Sequence, residues 1–371
     1  MKIQAEWMRG GTSKCWVFET DHLDTTTTGL DELLPRMFGS PDQRQIDGVG
    51  GATSTTSKAV ILHRSSDPEI DVEFTFAQVG IEEATVDWGS NCGNCSAVVG
   101  LYAIEKGWVL PQTDATRITT RNTNTGQVII QRVPTPGGAL PIVPDAHMPG
   151  VVFPGYKVGL GFRDPAGMTT GSLLPSGAAN DSLTADGTQW TVSMVDAGAP
   201  VVIVRAEDLG LDVARYDTWV GGVELQLDTL EKIRRQAAVL MGLAATSSEA
   251  ARAIPKVAIV GAPASDANCD VNVMMLSMGK PHPALAITGS IALTLAARTP
   301  GTVLSDITGT TPHATLRLRT PAGVIETWSE ERDGSLLVGV DRTARTIASA
   351  TIHLPEAIGS AAEASLASAS Y

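Results

Sequence analysis

The sequence predicts a mixed α+β protein made of two similar halves that face each other across a cleft. Three observations carry this. Short β-branched runs broken by Gly and Pro dominate the chain, and helical patterns are few. A lysine-led strand, SKAVIL at 57–62, is followed later by NCGNCSAVVGLYAI, and PKVAIV at 255–260 is followed later by ITGSIALTLAA. The spacing also agrees: 34 positions separate Lys58 from Cys92, and 32 separate Lys256 from Thr288. In both places a small-residue turn containing glycine opens an apolar helix, so each half would offer one helix N-terminus to the cleft. The 371 residues suffice for two domains. The stretch SGAANDSLTADG at 176–187 is the linker candidate, giving an N-terminal domain over 1–184 and a C-terminal domain over 185–371.

Taken in order, strands are expected at 58–64, 72–79, 127–133, 189–195, 200–206, 255–261, 271–276 and 314–320, after a first strand that ends near residue 8. Helices are expected near 30–39 and over 95–107, 223–244 and 290–298. The segment 134–187, rich in Gly and Pro, should hold turns, loops and short edge strands. The small polar tail IGSAAEASLASAS at 358–370 predicts a frayed end.

Composition narrows the function. A formal net charge of −13 argues against nucleic acid and against an anionic membrane surface as the main partner. It leaves room for a small anionic substrate in a locally positive pocket. No apolar run is long enough for a membrane helix. The N-terminus MKIQAEWMRGGTSK lacks an apolar leader core, so a soluble, cytoplasmic protein is expected. Four scattered cysteines, Cys15, Cys92, Cys95 and Cys269, fit a reducing compartment rather than a disulfide framework. The oligomeric state is open to a homodimer or a higher homo-oligomer.

Three runs carry chemistry. GSNCGNCS at 89–96 places two cysteines three apart before an apolar helix. A redox pair would need a thioredoxin-like context, and a zinc site would need a second cysteine pair or a spaced histidine pair; the six histidines are isolated. What remains is either buried structural thiols or a thiol at a helix N-terminus, where free N–H groups and the dipole would favour the thiolate of Cys92, with Cys95 packing one turn in. MRGGTSK at 8–14 and DGVGGATSTTSK at 47–58 are glycine-rich runs with hydroxyl and cationic donors, and the second delivers Lys58 to a strand start. Neither is a P-loop or a dinucleotide fingerprint. SMGKPHPALAITGS at 277–290 holds His282 between two prolines and leads into the second helix N-terminus. Signatures of serine hydrolases and zinc proteases are missing.

Together these runs resemble the PrpF family, whose members include isomerases of 2-methylaconitate and methylitaconate and the tautomerase of 4-oxalomesaconate. The matching stretches are MRGGTSK (8–14), DGVGGATSTTSKAVI (47–61), NCGNCSAVVG (91–100), DPAGMTTGSLLPSG (164–177), VDAGAPVVIVRA (195–206), IPKVAIV (254–260) and SMGKPHPALAITGS (277–290). The resemblance implies the diaminopimelate-epimerase-like fold: two halves, each a central helix wrapped by a barrel-like sheet, with the site between them. It implies that Lys58 and Cys92 flank the substrate, and that a 1,3-proton shift on a small unsaturated di- or tricarboxylate proceeds with neither cofactor nor metal. Cys15 stands where the family commonly has glycine, and ITGS at 287–290 replaces a GTGA-like turn.

On this reading Lys58 and Cys92 are the catalytic candidates. Lys58 as a base must be neutral, and a nearby cation, Lys14 or Lys280, would favour that state. Substrate-binding candidates are Arg9, Thr12, Ser13, Lys14, Ser57, Asn91, Gly93, Asn94, Ser277, Met278, Lys280, His282, Thr288, Gly289 and Ser290. Among them Arg9, Ser13, Lys280 and His282 are the expected carboxylate partners. The rival readings are an amino-acid racemase of the same fold and a non-catalytic carboxylate-binding protein. A racemase needs an opposed second thiol, and the second half offers Thr288 instead.

Overall fold

The structure is a computed structural model that describes residues 1–23, 28–89, 91–265, 267–277, 279–309, 315–332 and 334–354. The tail at 358–370 and Met278 lie outside the described residues, as does the side chain of Ser277. In the first half, β1 (Lys2–Gly10) and β2 (Ser13–Glu19) form a hairpin, and α1 (Leu30–Phe38) follows. Next, β3 (Lys58–Arg64) runs parallel to β2 and antiparallel to β4 (Val72–Val79). The short β5 (Val86–Asp87) returns along the end of β4 and leads into α2 (Gly93–Glu105). After it, β6 (Asp114–Asn122) lies parallel to β4, followed by antiparallel β7 (Val128–Thr135) and β8 (Tyr156–Arg163).

The second half repeats the plan. A hairpin of β9 (Asp181–Ala185) and β10 (Thr188–Ala197) leads to β11 (Ala199–Arg205), then to α3 (Trp219–Glu224) and α4 (Leu227–Leu240). β12 (Lys256–Gly261) lies parallel to β11 and antiparallel to β13 (Val271–Ser277), with a short β14 (Lys280–Pro281) at its end. Then come α5 (Ile287–Arg298), α6 (Val303–Thr308), β15 (Thr315–Thr320) parallel to β13, β16 (Gly323–Arg332) and β17 (Ser335–His353). The order of parallel and antiparallel pairings from β2 to β8 is the order from β11 to β17, so the lysine-led repeat is a repeat of topology. β17 ties the halves together: its residues 337–344 pair with β8 and 344–353 with β1.

Helices α2 and α5 are apolar on all sides, and each is enclosed by its own half's sheet. Every residue of α2 from Gly93 to Ile104 is buried. Gln131 of β7 anchors it: its Oε1 accepts from Gly100 N at 3.0 Å and its Nε2 donates to Ser96 O at 2.9 Å. In contrast, α1 and α4 are amphipathic and cover outer faces. Leu33, Leu34, Met37 and Phe38 of α1 pack on Trp16, Phe18 and Ile61, and Leu230, Ile233 and Ala237 of α4 pack on Val202, Val204 and Ile259.

Three expectations change. The single helix expected over 223–244 is two, α3 and α4, broken at Leu225 and Gln226. The linker candidate contains β9, because Leu183 and Ala185 are buried in the second core, and the boundary at 184/185 falls inside that strand. The Gly/Pro-rich segment holds β8, a central strand bonded on both sides.

Candidate active site

The first wall of the cleft is built around Lys58. Buried Ser57 locks the entry to β3: its Oγ donates to Val79 O at 3.0 Å and accepts from Gln45 Nε2 at 2.8 Å. Gln78 sits opposite Lys58 in the β3–β4 register. Its Nε2 donates to Ser57 O at 2.8 Å, and its Oε1 accepts from Lys58 Nζ. That Nζ also lies 5.0 Å from the centroid of the Phe76 ring. An amide oxygen and an aromatic face together bed the Lys58 amine, which is 8% exposed.

Cys92 is the N-cap of α2, with its side chain free of any capping bond. Its thiol interacts with that of Cys95, and the Cys95 thiol in turn with that of Cys15, so three of the four cysteines neighbour one another between the helix start and the core. Cys15 and Cys95 are fully buried. Interaction with the Cys95 thiol, in which Cys92 is the donor side, and then burial push the Cys92 thiol well above its ordinary range, against the pull of the Lys58 charge. Burial and the thiol neighbour favour the protonated form of Cys92, whereas the helix N-terminus was expected to favour the thiolate. The group is suited to giving a proton.

The second wall brings His282. Its own N–H donates to Met275 O at 2.7 Å, and its Nδ1 accepts from Ala284 N at 3.0 Å. That bond makes Nε2 the protonated nitrogen of the neutral ring. Burial, then the charges of Lys256 and Lys58, hold the imidazole down to about 4 from its ordinary 6.5. His282 therefore meets an anion as a neutral N–H donor. Lys256, the first residue of β12, was not anticipated as a site residue. It feels the charges of Lys58 and Asp87. The two helix N-termini abut here, since a side chain at Gly93 would run into Ile287 of α5. Their free N–H groups and positive dipole ends are suited to carboxylates and to a developing dienolate.

The remaining candidates divide. Asn94 is buried at the start of α2 and donates from Nδ2 to Thr12 Oγ1 at 3.1 Å, while its Oδ1 is buried without a partner. Ser13 is buried on the same face of β2 as Cys15. Thr288 and Gly289 occupy the buried first turn of α5, and Lys280 is exposed beside His282 on the rim of a cavity of about 680 Å³. Arg9 and Lys14 take the other face of their hairpin, where Arg9 Nε and Nη2 are buried with no hydrogen-bond partner. Met8 and Cys15 take the inner face of the hairpin, which turns their neighbours to the other side. Lys14 Nζ accordingly sits 5.1 Å from the Trp7 ring, and Arg9 Nη1 donates to Gly11 O at 3.1 Å and Thr343 O at 3.0 Å. Three more are structural. Ser57 holds the β3 entry as above. Asn91 Oδ1 accepts from Ser96 Oγ at 3.3 Å. Ser290 Oγ donates to Ile287 O at 2.8 Å within its own helix. The neighbouring cation expected of Lys14 or Lys280 is instead Lys256.

Against known proteins, the model of the family described as PrpF protein matches residues 1–355. The chain belongs to the PrpF family. This PrpF protein is 35% identical to the 3-methylitaconate isomerase of Eubacterium barkeri over 96% of its own length and 98% of the relative's. It is 34% identical to the 2-methyl-aconitate isomerase of Shewanella oneidensis, again over 96% and 98%. A crystal structure of methylitaconate-delta-isomerase superposes with a TM-score of 0.83 at 35% identity, covering 97% of this chain and 98% of that one. A hydroxyproline epimerase from Agrobacterium vitis shares the fold alone, with a TM-score of 0.54 at 13% identity, covering 96% and 94%. The PrpF protein thus has the diaminopimelate-epimerase-like fold expected of it. No helix among its described residues is long and apolar enough to cross a membrane.

Sequence reasoning missed Lys256, Gln78 and Asp87. Lys256 carried a signal, since it leads the second copy of the repeat. Gln78 carried none, because its role depends on strand register.

Two predictions arise here. Iodoacetamide should label Cys92 faster than fully buried Cys95, a bound dicarboxylate should protect it, and the rate should still climb at pH values where an ordinary thiol has levelled off. Peptide mass mapping reads this, and equal, ligand-insensitive labelling of both would contradict the site. His282 should also make stability depend on pH. Its folded value lies near 4 and its ordinary value at 6.5, so only the unfolded chain binds this proton between them. Stability should fall as pH drops through that window and level off below it. His282→Gln should remove at most about 3 kcal/mol of that fall, measured by urea unfolding at neutral pH and near pH 4.

Proposed function

We propose that this chain is an isomerase that shifts a proton along the allylic system of a small unsaturated di- or tricarboxylate, using no organic cofactor. What supports the reading is that the Lys58 charge acts on both Cys92 and His282, one from each half, and that two helix N-termini abut beside Cys92. The reaction needs a group to take the proton, a group to return it and cover for the dienolate between. A protonated thiol, lysine amines and a neutral N–H donor beside two positive dipole ends match those needs. The names of the two isomerase relatives agree with this chemistry.

The racemase reading weakens on a corrected correspondence. The residue of α5 that occupies the place of Cys92, as N-cap, is Ala286 rather than Thr288. Alanine supplies no second thiol. Proton NMR in D2O with methylaconitate, aconitate, methylitaconate and oxalomesaconate tests the proposal. Deuterium should enter one allylic carbon of one of these acids as its isomer appears, and L- and D-amino acids should remain unracemised. Racemisation of proline or of a diamino acid, with the panel untouched, would overturn it.

A further inference from the structure

We infer that Arg9 and Arg345 form a binding site for a small dianion, a phosphate or a dicarboxylate, on the face of the sheet turned away from α2. The site stands independently of the reaction proposed above.

Register places the cations. Lys14 of β2, Arg9 of β1 and Arg345 of β17 are direct cross-strand partners, so they stand in a row across three adjacent strands, on one face. Met8 and Cys15 belong to the core around α2, which puts the row on the opposite face. No ion pair among the described residues includes any of the three. Asp341, further along β17, is held by Lys157 at 2.6 Å. On a chain with 40 acidic residues, a row of three cations without a carboxylate is not what composition alone would give. Like charges set directly opposite one another also destabilise a sheet.

The free edge of Arg9 shows what would fit. The residue is 7% exposed. Its Nη1 is engaged inside the protein, donating to Gly11 O at 3.1 Å, Thr343 O at 3.0 Å and Thr343 Oγ1 at 2.9 Å. That leaves Nε and Nη2, both buried and without a hydrogen-bond partner, and Arg345 Nε is in the same condition. Nε and Nη2 form one side of the guanidinium, the side that grips a carboxylate or phosphate by two parallel N–H···O bonds. Holding that Arg9 needs for the hairpin is supplied by Nη1 alone. Burial, and then the Arg345 charge, act against the Arg9 cation. A dianion between the two guanidiniums offsets both and partners the free N–H groups.

The cover over this edge is light. Residues 146–155 loop across the row, closed at the neck by backbone bonds of 3.1 and 2.9 Å between Ala146 and Gly155. Gly155 lies on Arg9, since a side chain there would run into Nη2, and the Phe153 ring lies 6.0 Å from Arg345 Cζ. Val152 and Phe153 are 82% and 66% exposed, so packing holds this part of the loop weakly. The anion meets the half-buried Arg345 first and reaches the Arg9 edge by lifting Gly155.

Inorganic phosphate and succinate are the probes, each titrated calorimetrically into the full chain against sodium chloride of equal ionic strength. At least one should bind saturably. Phosphate alone would mark a phosphorylated ligand, and succinate alone a carboxylic acid. Arg345→Gln should weaken that binding about tenfold or more, as loss of one charged partner does. Lys232→Gln, which removes a cation paired with Asp186 in the other half, should leave it unchanged. Absence of saturable binding by both probes would overturn the inference. So would full affinity in Arg345→Gln, which would put the anion elsewhere on the protein. Should Arg345→Gln fail to fold, phenylglyoxal labelling of the unaltered protein with peptide mapping decides. The tighter probe should protect Arg345, and equal labelling with and without it would overturn the site.

Discussion

Lys58→Ala should lower turnover about 100-fold or more while the protein stays folded. The side chain is bedded by Gln78 and Phe76, which fix where its amine points. The fold should tolerate the change, since it removes a buried charge together with only one hydrogen bond. Steady-state kinetics on the active acid, with thermal melting as a control, checks it. Gln78→Leu should give a smaller loss of the same kind, because it loosens the amine without removing it. Wild-type rates in folded Lys58→Ala would take Lys58 out of the mechanism.

Gly93→Ala should cost activity on the same scale, about 100-fold, through geometry rather than chemistry. A methyl at this position would sit inside the van der Waals surface of Ile287, so the two helix N-termini would have to part. Displacing groups by about 1 Å from the reacting centre is enough for such a loss, and the overpacking itself should cost about 1–3 kcal/mol of stability. Adding Ile287→Gly should recover part of the activity, because it removes the atoms that the new methyl meets. Kinetics and melting of the single and double variants separate this contact from a general weakening of α2. No recovery in the double variant would mean that the abutment does not set the site.

The two halves were legible because the repeat is physical: in each, a strand led by lysine and a helix opened by small residues occupy equivalent places in the sheet. The apolar strands β3, β4, β10 and β11 were legible for the same reason, since their buried positions are mostly Val, Ile, Leu, Met, Phe and Ala. β6 was not. Its inward positions are Thr116, Ile118, Thr120 and Asn122, and three of these four are polar residues satisfied by hydrogen bonds inside the barrel. β8 hid among glycines that exist to admit another side chain: a side chain at Gly161 would come within 3.0 Å of the Trp328 ring. In the proposed site, the sequence signal for Lys58 and His282 was their rigid, glycine- or proline-bounded runs. Which face of the hairpin Arg9 and Lys14 take depended on the face that Met8 and Cys15 claimed, and composition does not show that. The protonation of Cys92 depended on Cys95 and Cys15 lying beside it, and only the packed structure brings Cys15 there.

On the proposed mechanism, side chains and helix dipoles alone move the proton. Protein dialysed exhaustively against EDTA and showing no pyridoxal, flavin or nicotinamide absorbance should still convert its acid in D2O at the undialysed rate, with deuterium entering one allylic carbon. Activity that disappears on dialysis and returns with a divalent metal would contradict it.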